Sequence, residues 1–135
     1  MRTIDKVLIG LTGLFLLLLP LQFLFAGVGI YGGGFETHEA FGAGLLHLIT
    51  LIVPIVALIA KRWKYAGIWF GLFVLIFVQI SMVSIGRDAD VEWISALHPF
   101  MAFLFWPYVY FLVWVPLRKE TAAEIEAGAS APVPA

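Results

Sequence analysis

Apolar positions in this chain do not alternate, and they do not recur on one helical face. They fill long continuous stretches. Four runs lack Asp, Glu, Lys and Arg altogether: Val7 to Ile30, Ala40 to Ala60, Tyr65 to Gly86, and Ile94 to Leu117. Each is at least the roughly 20 residues that a helix needs to cross about 30 Å of hydrocarbon. A barrel strand would show an inside–outside alternation, which is missing here, and lipid tolerates only helices or closed barrels. The pattern therefore predicts an all-α integral membrane protein with helices over about residues 6–31, 37–60, 65–86 and 91–117. Residues 1–117 form the bundle, and 118–135 form a short, partly disordered cytoplasmic tail, its end rich in Ala, Pro and Ser. The first run is too long for the 7–15-residue core of a signal peptide, so it is expected to stay as a helix.

Charge placement orients these helices. Arg2 and Lys6, the segment Lys61–Lys64, and Arg118 with Lys119 hold seven of the 8 basic residues, all on one side. The opposite connections carry Glu36, Glu39, Asp88, Asp90 and Glu92 against a single Arg87. The positive-inside rule then puts both termini in the cytoplasm, as an N-in/C-in, up-down-up-down four-helix bundle, multi-pass in the inner (cytoplasmic) membrane. Thr37 and Asp90 are expected to cap the second and fourth helices. Tyr31, Trp63, Tyr65 and Trp93 at the run ends are expected to be interfacial anchors. Gly67 with Gly71, and Gly10 with Gly13, favour close helix contact.

Composition sharpens this picture. Of 135 residues 62% are hydrophobic and 13% charged, against about 25% charged in a soluble domain. The absence of cysteine excludes disulfides, thiolate metal sites and iron–sulfur clusters. No basic patch exists for nucleic acid beyond the membrane flanks. The lipid bilayer is the expected partner, with other subunits of a membrane complex as a further one.

The polar side chains inside the runs gather in the outer half of the bundle. Counted at about 1.5 Å per residue from the outer ends, Gln22, Gln79, His47 and His98 lie roughly 8–15 Å deep, and His38 lies near the surface. Scattered Gln and Ser usually serve as interhelical hydrogen-bond glue. An intramembrane histidine is a functional hypothesis by default. His38 and His47 are nine positions apart, about 900° on a regular helix, and so point to opposite sides. A histidine from each of the parallel second and fourth helices could hold one planar group from both sides, the arrangement of bis-histidine haem b. Depth favours His47 with His98, and His38 with His98 is the alternative pair. Gly42 and Ala102, one turn past His38 and His98, are expected to leave space beside the imidazoles. A nucleophile–base pair is not recognisable around Ser81 or Ser84, so no enzymatic activity is expected.

The segments "LQFLFAGVGIYG" (Leu21 to Gly32), "THEAFG" (Thr37 to Gly42) and "SALHPFMAF" (Ser95 to Phe103) resemble a family of small bacterial four-helix membrane proteins of unknown function. The shared pattern maps to Gln22, His38 with Gly42, Gln79, and His98 with Pro99, and covers residues 5–117. Glu39 departs from it, since a basic residue often follows that first histidine. The resemblance implies the fold and favours His38 over His47 as the partner of His98. The leading functional expectation is a haem b site serving an electron-transfer or redox-anchor subunit. Two others compete with it: a cofactor-free accessory subunit of a larger complex, and a protein binding a quinone or another small molecule in its outer cavity.

Overall fold

The computed structural model describes residues 2–130, which contain helices and no strand. Helix α1 spans Thr3–Val28 and closes in a wide turn over Gly29–Gly33. Helix α2 runs without a break from Glu36–Glu39 through a π-helical segment, Ala40–Leu46, into His47–Ile59. Helix α3 is Trp63–Asp88. Helix α4 joins Glu92–Val109, a π-helical turn Tyr110–Trp114, and Val115–Ala129. All four are long and apolar enough to cross a membrane. The fourth is the longest, 37 residues from Trp93 to Ala129, or about 55 Å. It thus continues well past a bilayer's thickness, through the Glu-rich first half of the tail; the Ala-, Pro- and Ser-rich end expected to be disordered falls largely on residues 131–135, outside the described part.

Each helix packs on its neighbours in sequence, and α1 also packs on α4. The side chains that meet define two ends. At one, late α1 meets early α2, and late α3 meets early α4. At the other lie the start of α1, the linker 60–62 and the far part of α4. These are called below the histidine end and the terminal end.

The core fills the middle and the terminal half. Leu8, Phe15, Val53, Trp69, Leu72, Val109 and Val113 are fully buried, and Phe15 meets Trp69 edge-on at 5.2 Å. The outward surface is apolar too: Leu17 is 72% exposed and Phe103 67%. Such a surface would aggregate in water and is what hydrocarbon solvates.

Prolines explain several contacts. Pro20 has no N–H to give the carbonyl of Leu16, and the indole Nε1 of Trp106 on α4 donates to that carbonyl at 3.2 Å. The π turn Tyr110–Trp114 lies between Pro107 and Pro116, where the regular hydrogen-bond ladder is interrupted from both sides.

The glycines are only half used for packing. A Cβ at Gly13 would fall 3.0 Å from the Trp114 ring and one at Gly71 would fall 3.4 Å from the Tyr108 hydroxyl, whereas Gly10 and Gly67 face open space. Gly32 and Gly34 have φ of +98° and +76°, the left-handed backbone that lets the chain turn from α1 into α2.

Three local expectations are corrected. Helix α2 begins at Glu36, so Thr37 is inside it and caps nothing. Asp90, with φ +54°, ends α3 rather than capping α4, and the Val91 N–H closes back on the Gly86 carbonyl at 2.8 Å. Tyr65 is buried in the core, while Tyr31 (93% exposed), Trp63 and Trp93 do lie on the surface.

Candidate functional site

The histidine end is built from two similar halves. In the α1–α2 hairpin, the Gln22 side-chain amide donates to the His38 carbonyl at 3.0 Å and lies 3.3 Å from His38 Nε2. His38 Nδ1 lies 3.1 Å from the Gln22 backbone carbonyl, which makes Nδ1 the protonated nitrogen. In the α3–α4 hairpin, His98 Nδ1 lies 3.0 Å from the Gln79 side-chain amide and 3.4 Å from the Gln79 carbonyl. Each hairpin thus ties the glutamine of its first helix to the histidine of its second, 16 residues on in one and 19 in the other.

The halves meet at the histidines. The rings of His38 and His98 are 6.0 Å apart, centre to centre, with planes at 69°. Phe35 packs edge-on against His38 at 6.1 Å. Gln79 is only 6% exposed, and its Oε1 is buried without a partner, as is Oε1 of Gln22. Turning the Gln79 amide by 180° places that oxygen on the Nδ1–H of His98 and leaves His98 Nε2 bare.

Of the residues expected here, Gln22, His38, Gln79 and His98 come together. Gly42 belongs with them in a different way from that expected. A Cβ at position 42 would collide with the amide nitrogen of Gln22, so the space beside His38 is filled by that side chain. Ala102, one turn past His98, is half-buried. His47 lies elsewhere, against Phe73 at 4.7 Å and Phe77 at 6.5 Å on α3, with Nε2 buried and unpartnered. The pairing favoured by depth, His47 with His98, is therefore not the one that the fold brings together. Counting depth and angle along α2 requires regular turns, and the π segment Ala40–Leu46 between the two histidines breaks that regularity.

No family model, curated protein or solved structure matches this chain.

The donor set restricts what the pair can hold. Among the described residues no group of three or more His, Asp or Glu could enclose a metal ion. Two imidazoles alone fall short of the four to six ligands that transition metals take, so any metal here needs further ligands from a cofactor. With metal–nitrogen bonds of about 2 Å, two imidazoles on opposite sides of one ion have ring centres about 6 Å apart. The observed 6.0 Å agrees with that figure between ring centres, with the planes at 69° and the Gln22 amide 3.3 Å from His38 Nε2. Hydrogen bonding of Nδ1–H to a backbone carbonyl is the usual way to orient an imidazole that ligates through Nε2.

Sequence reasoning missed a second polar cluster, at the terminal end. Asp5 is fully buried. Its carboxylate accepts from Arg2 Nε at 2.8 Å and from Arg62 Nε at 3.1 Å. Arg62 reaches on to Glu124 at 2.7 Å and lies 3.7 Å from Glu120, both on α4. Arg2 also donates to the Ala60 carbonyl at 2.7 Å. The network joins α1, the α2–α3 linker and α4. Arg2 at three residues from Asp5 was its one sequence signal.

Proposed function

We propose that this chain is an inner-membrane protein, an up-down-up-down four-helix bundle with both termini in the cytoplasm, that holds haem b between His38 and His98. It would serve as an electron-transfer or redox-anchor subunit near the outer face. The observation that carries this reading is the adjacent His38–His98 pair, its ring centres 6.0 Å apart, about the spacing of two imidazoles on one metal. His38 and His98 would hold the group through their imidazole nitrogens, and the backbone carbonyls of Gln22 and Gln79 would keep both rings in the ligating tautomer. When bound, haem supplies one-electron redox chemistry, and the low polarity around it tunes its potential. The resemblance to small bacterial four-helix proteins supports the same histidine pair.

A cofactor-free accessory subunit is the second reading. It is favoured by the way the Gln22 and Gln79 amides already approach the imidazole nitrogens, and by the well-filled core of the terminal half. The two readings part on one absorption experiment. The protein is expressed with ample haem, purified, and its dithionite-reduced-minus-oxidised spectrum recorded. Soret and α bands at about one haem per chain are the expected result. A colourless protein would remove the haem reading and leave the accessory one.

A further inference from the structure

Beside the histidine pair, on the outward side of the α1–α2 seam, lies an open groove of ≈ 480 Å³, lined by Phe25, Glu36, Thr37, Ala40, Phe41 and Leu45. That volume falls within the roughly 300–1,000 Å³ of small-molecule sites. Three of the lining residues, Ala40, Phe41 and Leu45, belong to the π-helical segment of α2. Such segments are local widenings of a helix and are frequent at functional sites.

The lining specifies an occupant. Phe25 and Phe41 meet edge-on at 5.1 Å and together form one aromatic wall, against which a flat ring can lie. Leu45 continues the groove along an apolar helix, which suits a hydrocarbon tail. Polar groups lie only toward the start of α2, where Glu36 and Thr37 contribute a carboxylate and a hydroxyl. Gly34 keeps the carboxylate there: a Cβ at that position would fall on the Glu36 side chain. None of the six lining residues is cationic. A phosphate or other anionic headgroup would therefore meet a bare carboxylate, whereas a neutral head with hydrogen-bond donors would be accepted.

We propose that this groove binds a membrane quinol, its ring laid against the edge-on pair of Phe25 and Phe41 and a phenolic O–H donated to Glu36. Any link to the neighbouring site rests on the haem reading above; as a binding site the groove stands by itself. The groove neighbours the histidine pair along the chain, since Gln22 is one turn from Phe25 and Thr37 precedes His38.

The test is a titration of the full chain, in phosphatidylcholine nanodiscs under argon, with a fluorinated hydroquinone bearing a ten-carbon tail. Binding is read from the broadening of its fluorine NMR line. Saturable broadening is expected, and the O-methylated analogue should bind about tenfold more weakly, the loss of one well-placed hydrogen bond. Ala40→Phe fills the groove and should abolish saturation. Glu36→Gln, an exposed change that leaves the packing intact, should weaken binding by about tenfold. Broadening that does not saturate, or that survives both substitutions, would overturn the proposal, as would recovery of a phospholipid from the groove that the quinol cannot displace. The haem spectrum of the same samples separates the two readings. Colourless protein with saturable binding removes the haem and leaves the groove, and haem-bearing protein without saturable binding does the reverse.

Discussion

The two ends of this bundle are held by opposite chemistry. At the terminal end a buried carboxylate, Asp5, is clamped by two guanidinium groups, and Arg62 extends the network to Glu120 and Glu124. At the histidine end neutral amides and imidazoles make the cross-links. Full charges are retained only where several partners and nearby water share the cost of desolvation. Neutral groups can go deeper, and imidazole keeps a lone pair that can be committed to a metal. The terminal end is therefore a lock of charges between helices, and the histidine end a neutral one of amides and imidazoles.

That contrast can be broken from either side. The largest effect should come from Arg62→Ala, which removes one clamp from a fully buried aspartate and unties α4. A loss of about 3–5 kcal/mol is expected, read from detergent-induced unfolding. Replacing Asp5 by Asn in the same background should recover part of it, because no uncompensated charge then remains. Equal losses with and without Asp5→Asn would show that the network is not what Arg62 stabilises.

Gly42→Ala tests the other end. The new Cβ would push the Gln22 amide off His38, at a cost of about 1–2 kcal/mol for the hydrogen bonds given up. Hydrogen exchange should quicken around residues 22 and 38 and stay unchanged around Asp5. A variant as stable as the parent would mean that Gln22 does not hold His38.

The smallest effect has the opposite sign. Lys61 sits at φ +59° just after α2, and the Arg62 N–H closes back on the Ala57 carbonyl at 2.8 Å. This is the helix-ending turn that glycine prefers. Lys61→Gly should relieve the left-handed strain and stabilise the lock by about 1 kcal/mol in the same unfolding assay. Destabilisation would indicate that the Lys61 side chain contributes more than its backbone costs.

How much of this was legible in the sequence differs between the ends. The four helices followed from uninterrupted apolar runs, because a bilayer demands length and little else. Gln22, His38, Gln79 and His98 stood out because polar groups are rare at that depth. Which histidine faces His98 was not readable from spacing, because the turns of α2 widen over Ala40–Leu46. Asp5 was hidden for another reason. Among the charges that flank a first helix it reads as one more solvated group, and only the return of Arg62 from the α2–α3 linker buries it. The continuation of α4 was legible too: Glu- and Ala-rich residues after Leu117 keep their own helix propensity and extend the rod to Ala129.

The central claim is that His38 and His98, not His47, face one another across a shared site. Its most direct test is the reduced-minus-oxidised spectrum of the haem-loaded chain compared with those of His38→Ala, His47→Ala and His98→Ala. The account predicts that the bands collapse in the first and third variants and persist in the second. Bands that persist without His38, or vanish without His47, would contradict it.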